Sequence, residues 1–246
     1  MKGNPAIFRP AFKEDDREDE IHVDMSRVSV VDTRSMTWSG SPAEGVERKR
    51  LELIGIEAPQ LTTLVRFKPG SHFAEHTHDG GEEFIVLDGT FSDGSGDYGP
   101  GSYVRNPPGT SHRPYTDDGC TILVKLRQFQ EEDTRQFSVA TRQSERGLWQ
   151  SAVQGMDHLP LHHHGDEAVS LLHLQPGAVL PHALFTGGLE IFLMEGALTL
   201  DDKERDAGCW FRFPPGASPR IQIKQETRCY CKQGPLARYQ QSISRV

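Results

Sequence analysis

Apolar and polar positions along this chain fall into short runs. Leu64-Val65-Arg66-Phe67, Phe84-Ile85-Val86-Leu87 and Cys120 to Leu126 are rich in β-branched, aromatic or other apolar residues, and Pro-Gly, Asp-Gly or Gly-rich turn signals bound them. Runs this short and this often interrupted predict strands, and many such strands predict a sandwich or a barrel. Lys13 to Glu20 is a charge run with almost nothing apolar, so residues 1–25 read as an acidic N-terminal arm. Gln128 to Gly147 is polar and charged, and its central part, 131–144, reads as a linker.

The pattern occurs twice. KPGSHFAEHTHDGGEEFIVLDG, Lys68 to Gly89, is answered by QPGAVLPHALFTGGLEIFLMEG, Gln175 to Gly196. GSYVRNPPGTSH, Gly101 to His112, is answered by GCWFRFPPGASP, Gly208 to Pro219. The separations Gly70 to Gly177, Gly89 to Gly196, Gly101 to Gly208 and Gly109 to Gly216 are each 107. Register held over some forty residues is the mark of a tandem duplication. The units expected from it are 26–130 and 145–246, and Trp38 and Trp149 stand at similar positions ahead of each half.

Bulk properties narrow the class. A chain of 246 residues has room for two ordinary cores, and 24 glycines with 16 prolines suit many turns. A formal charge of −8 argues against a nucleic-acid surface, which needs a basic stripe. No apolar run reaches the length of a membrane span, and Met1 to Phe12 lacks the pattern of a secretory signal. Four scattered cysteines, Cys120, Cys209, Cys229 and Cys231, fit reduced thiols and a cytoplasmic location, as a monomer or homodimer. Cys229 and Cys231, two apart on a strand, share a face and read as packed core thiols.

Candidate chemistry lies in the first half. His76 and His78 are two apart, so on a strand both imidazoles leave one face. After a Gly-Gly turn the chain returns through Glu82, and His112 follows a Pro-Pro-Gly turn and enters from a further strand. A lone His-x-His among 11 histidines would read as a surface or core pair. Three imidazoles with one carboxylate suit a single Zn, Fe, Mn, Ni or Cu ion and are a poor set for Ca or Mg.

The spacings Gly70-x5-His76-x-His78-x3-Glu82-x6-Gly89 and Gly101-x5-Pro107-x-Gly109-x2-His112 resemble both sequence motifs of the cupin superfamily. Thr116 stands where an Asn is usual, at a position that is not a ligand. The resemblance implies an all-β fold of two tandem double-stranded β-helix jelly-roll barrels, a bicupin. More narrowly, GSHFAEHTHDGGEEFIVLDGTF with PPGTSH is similar to the cupin domain of ChrR-type anti-sigma factors. That resemblance implies His76, His78, Glu82 and His112 as ligands of one divalent ion per chain, Zn or Fe first, Ni or Mn next. It also points to oxidative-stress regulation. The family's sigma-binding part is a helical zinc domain with a His-x3-Cys-x2-Cys run, and the first 119 residues here hold no cysteine. A sigma factor is therefore not an expected partner.

In the second half Ala183, Phe185, Leu189 and Pro219 occupy the ligand positions, and none can bind a metal. His182 and Glu190 fall one residue off, which on a strand turns a side chain to the other face. His162, His163 and His164 alternate in direction and cannot serve one ion. The second unit is expected to be a degenerate cupin without metal.

Two functions remain open on sequence alone, and whether the chain is an enzyme is not decided by it. One is a regulatory metal-binding cupin. The other is a mononuclear non-haem metal dioxygenase with a three-His, one-Glu site acting on a small organic molecule. For either, a small-molecule ligand in the first barrel is the expected partner. Glu83, Arg66, Tyr103, Arg105 and Tyr115 are the candidates for lining its pocket, although alternation allows only some of them to point inward.

Overall fold

The computed structural model describes residues 20–55, 58–141, 148–234 and 236. Most of the N-terminal charge run lies outside the described residues. Among those described there is no α-helix, only strands and two short 3-10 turns. No helix of the described residues is long and apolar enough to cross a membrane. The described residues form two compact units, one from 20–23 with 37–141, the other from 24–36 with 148–236.

In the first unit a seven-stranded sheet runs Phe137–Ala140, Ser102–Asn106, Glu82–Gly89, Cys120–Leu126, Gln60–Phe67, Val46–Ile54 and Ser39–Gly40. Two-stranded ribbons complete the barrel: His76–Thr77 with Ser111–His112, and Phe91–Asp93 with Gly96–Tyr98. Strand alternation sorts the residues. Phe84, Val86, Val104, Ile122 and Val124 enter one buried cluster with Phe67 and Phe91, while their neighbours Glu83, Ile85, Tyr103 and Arg105 leave by the other face. The second unit repeats this arrangement in Glu167–Leu174, Leu189–Glu195, Cys209–Phe213 and Thr227–Gln233.

Two segments depart from the boundaries read off the repeat. Ser29–Asp32 pairs with Cys209–Phe213, so it belongs to the sheet of the second unit. Phe137–Ala140, inside the stretch read as linker, pairs with Ser102–Asn106 as an edge strand. Both are four-residue edge strands, and local sequence does not tell which sheet so short a strand joins.

Outward-facing charges recur at equivalent positions. Glu83 stands between Lys125 and Arg105 across three strands, and Glu190 stands between Lys232 and Arg212. Tyr103 Oη donates to Glu83 at 2.7 Å, and Trp210 Nε1 donates to Glu190 at 2.8 Å. All are buried. The duplication therefore kept this row, whereas Ala183, Phe185, Leu189 and Pro219 stand where the first unit has His76, His78, Glu82 and His112.

The cysteines are all reduced and buried. Cys209, Cys229 and Cys231 sit in the core of the second unit, and burial pushes the Cys120 and Cys229 thiols up to about 12. At neutral pH these are packing groups and not nucleophiles.

Where a glycine is required, the backbone shows it. Gly89 has φ +70°, and a Cβ there would run into the backbone carbonyl of Gly119; its repeat partner Gly196, φ +79°, would meet that of Glu226. Gly70 also has positive φ, yet a Cβ there meets nothing within 4 Å. Gly89→Ala is expected to destabilise the protein by about 2–5 kcal/mol, left-handed strain plus a clash that cannot relax. Gly70→Ala should lose only about 1–2 kcal/mol. Urea denaturation midpoints compare the two, and equal losses would refute the close-approach argument.

Candidate metal centre

His76 and His112 face each other as a register pair between two-residue strands. The sequence pattern places His76 and His78 on one strand, but the strand ends at Thr77. His78 is held just past it, where its backbone N–H donates to the Thr110 carbonyl at 2.9 Å. Gly80 and Gly81 then turn the chain, with a positive φ at Gly81, and Glu82 opens the next strand.

These placements bring four donors together. One ring nitrogen from each of His76, His78 and His112 lies within 4.8 Å of the others, a grouping able to hold a metal ion. The ring centroids are 4.7–4.9 Å apart. Glu82 Oε1 lies 3.6 Å from both His78 Nε2 and His112 Nε2. That is too far for a hydrogen bond and close to the spacing of donors around an ion bound at about 2.0–2.2 Å.

The outer hydrogen bonds fix which nitrogen faces inward. His112 Nδ1 donates to Asp93 Oδ2 at 3.1 Å, and His76 Nδ1 donates to the Ala74 carbonyl at 3.0 Å. Each leaves an Nε2 lone pair for the centre, the arrangement that orients metal-bound imidazoles. Asn106 Nδ2 donates to Glu82 Oε1 at 3.4 Å and steadies the carboxylate. Among the described residues the Nε2 atoms of His78 and His112 are buried with no hydrogen-bond partner. Buried polar atoms are rarely left so. Three neutral imidazoles and one carboxylate suit a divalent first-row transition metal, and this observation fits the residues to one.

Charge states differ among the three imidazoles. Burial holds the pKa of His76 and of His78 below the ordinary imidazole value, so both rings are neutral donors. Burial would raise the Glu82 carboxyl, but His78, His112 and His76 outweigh it and hold it low. Burial works against protonating His112 too, yet the Asp93 hydrogen bond and the Glu82 and Asp93 charges raise its pKa.

A cavity of about 60 Å³ opens beside these donors, lined by His76, His78 and Glu82 together with Arg48, Thr63 and apolar side chains such as Val65, Phe73, Phe91 and Leu126.

None of the five pocket candidates from sequence lines this cavity. Glu83, Tyr103 and Arg105 are buried on the opposite face of the sheet: Arg105 Nη1 donates to Glu83 Oε2 at 2.6 Å, and Nη2 donates to Asp133. Arg66 pairs with Glu47 at 2.6 Å and lies over the Trp38 ring. Tyr115 is exposed, its backbone bridging Ser92 and His72. Glu83 is the neighbour of an inward residue on a strand, and alternation carries it away. Arg48 in the cavity wall, and Asp93 and Asn106 behind His112 and Glu82, were hidden in the sequence. Arg48 sits in the run Glu47-Arg48-Lys49-Arg50, which looks like a solvated face, and Asp93 precedes Gly94 in what looks like a turn. In the second unit Glu190 is buried on the outward face, and His182 is exposed on a 3-10 turn.

The sequence matches the family model of the ChrR cupin-like domain over residues 26–130 and again over 136–237. The chain belongs to this family. The cupin fold extends to solved structures. A Nostoc punctiforme protein provisionally named a dioxygenase is 16% identical, with TM-score 0.69, covering 86% of this chain and 84% of that one. The Escherichia coli protein Ylba is 17% identical, with TM-score 0.62, over 91% and 98%. A cupin 2 conserved barrel domain protein from Leptotrichia buccalis is 9% identical, with TM-score 0.58, over 88% and 100%. At these identities the likeness is one of fold: this ChrR-like chain is a tandem jelly-roll bicupin. No curated protein matches the sequence.

Proposed function

We propose that this ChrR-like bicupin is a metal-dependent regulatory protein. Its first barrel holds one divalent ion through His76, His78, Glu82 and His112, and its second barrel is a silent copy. The observation that carries this reading is the pair of buried Nε2 atoms, on His78 and His112, converging on Glu82 without hydrogen-bond partners. When bound, such an ion would supply Lewis acidity, with His76, His78, Glu82 and His112 holding it. Zn or Fe best matches the donor set, and family membership supports a role in oxidative-stress signalling.

The chain's own residues do the rest. Asp93 and the Ala74 carbonyl hold two imidazoles in one tautomer, Asn106 steadies Glu82, and the apolar wall limits water. The alternative, a dioxygenase acting on a small organic substrate, draws support from the fold shared with the Nostoc punctiforme protein.

Metal analysis of the full chain purified without chelators, with oxygen-uptake assays, tests this. One tightly held zinc or iron per chain and no oxygen uptake over a panel of small organic acids and diketones is the expected result. Oxygen consumption with iron would replace the regulatory reading by the dioxygenase. A metal-free protein that takes up no added metal would end both.

A further inference from the structure

In the second unit the residues at the metal positions are apolar, yet the surface around one of them is charged. Beside Pro219, which stands where the first unit has His112, lies a groove of about 500 Å³. That volume falls within the roughly 300–1,000 Å³ of small-molecule sites. Val30, Leu200, Phe213 and Ala217 form its apolar part, and Asp201, Lys203 and Arg205 carry its charge.

The two cations are placed by strand register. Lys203 and Arg205 lie directly opposite Leu200 and Leu198 in an antiparallel ribbon. Opposed residues share a face, and both leucines belong to the buried core cluster of the unit. Two cations therefore leave the ribbon by the side that its leucines bury. The first unit has Gly96 and Tyr98 at these positions, opposite Asp93 and Phe91, and its ribbon supports His112 through Asp93. Where that unit presents a metal donor and its carboxylate support, the second presents apolar surface and two cations.

Arg205 is part-buried, and its Nε is enclosed with no hydrogen-bond partner. Asp32 is near enough to interact with its charge. The Asp32 oxygens, however, already accept from Arg34, from Nε at 2.9 Å and from Nη2 at 2.8 Å. Asp201 accepts from the Arg220 backbone N–H at 3.3 Å. A buried N–H is rarely left without an acceptor. A carboxylate entering the groove would supply one in a charge-assisted hydrogen bond, with Lys203 at the exposed rim beside it.

We propose that the second unit binds an amphipathic organic monocarboxylate in this groove. The carboxylate lies on Arg205 and Lys203, and an alkyl or aryl body lies on Val30, Leu200, Phe213 and Ala217. The site is separate from the metal centre and does not depend on it.

Calorimetric titration of the full chain with octanoate, octanol and octylammonium tests this. Octanoate should bind once per chain. Octanol (same body, no charge) and octylammonium (opposite charge) should bind at least about tenfold more weakly, the loss of a charge-assisted contact. Arg205→Met keeps an apolar stem and should weaken octanoate at least about tenfold; Lys203→Met, at the exposed rim, should weaken it about threefold. Val28, 48% exposed at the edge of the groove, allows a second variant: Val28→Glu should fold and repel octanoate. Glu82→Ala alters only the first barrel and should bind octanoate as the parent does. The proposal is overturned if the parent binds no octanoate saturably, if octanol or octylammonium binds as well, or if Arg205→Met binds octanoate unchanged. Loss of binding in Glu82→Ala would place the anion in the first barrel and overturn it too. Should Arg205→Met not fold, Val28→Glu decides.

Discussion

Glu82→Ala and His112→Ala are each expected to drop the metal content from near one ion per chain to near zero after dialysis. Glu82 is the only anionic donor of the proposed set, and its oxygen sits 3.6 Å from two of the three nitrogen donors. Removing it leaves neutral imidazoles alone to balance a doubly charged ion in a buried site. His112 brings the one imidazole backed by a carboxylate. Asp93→Asn keeps every donor atom but weakens that backing, and it should reduce affinity by about 10–100-fold, measured by competition with a chromogenic chelator. The exposed His182 lies outside the cluster, so His182→Ala should leave the metal content unchanged. If it halves that content, the second unit holds a site of its own; if Glu82→Ala retains a full complement, the ligand set is wrong. Ligand binding to the folded state alone also raises stability. At free metal 1,000 times the dissociation constant the gain is about 4 kcal/mol. A chelator should thus lower the melting temperature of the parent protein and leave that of Glu82→Ala where it was.

Much of the architecture was legible because it was written twice. The repeat fixed which strands correspond, and the strands at Gln60–Phe67, Glu82–Gly89 and Cys120–Leu126 recur 107 residues later at Glu167–Leu174, Leu189–Glu195 and Thr227–Gln233. The convergence of His76, His78, Glu82 and His112 was also legible, because the whole spacing between glycine turns, and not the His-x-His alone, matches the cupin motifs. The pocket wall was not. A strand read alone does not reveal which of its two faces is inner when both are buried, as they are for Glu82 and Glu83. Polar character misled further: the most polar candidates, Glu83 and Arg105, neutralise one another on the outer face. Arg48 is inward, yet it lies among charged neighbours. Its direction follows only from pairing with Val65, a contact 17 positions away that no local pattern encodes.

The outward network yields the other large effect. Arg105 is fully buried, lies 4.1 Å above the centre of the Phe129 ring, and joins Glu83 to Asp133. Arg105→Met is expected to destabilise the protein by about 3–5 kcal/mol, because two buried carboxylates lose the cation they share. That is a large part of the 5–15 kcal/mol typical of a folded domain. A cavity effect alone would predict less, since methionine refills much of the space and most volume-conserving swaps lose under about 1.5 kcal/mol. The two causes separate in a further variant. Replacing Arg105 by Lys keeps a positive charge without the planar fork and should recover part of the loss, which a pure packing effect would not give. Denaturant unfolding of the metal-loaded proteins measures both. If Arg105→Met falls within about 1 kcal/mol of the parent, the network contributes shape and not charge. Metal content supplies the control. Arg105 belongs to the opposite face of the sheet from Glu82, so folded Arg105→Met should still bind one ion per chain, and loss of the ion would mean that the two faces are coupled through Asn106.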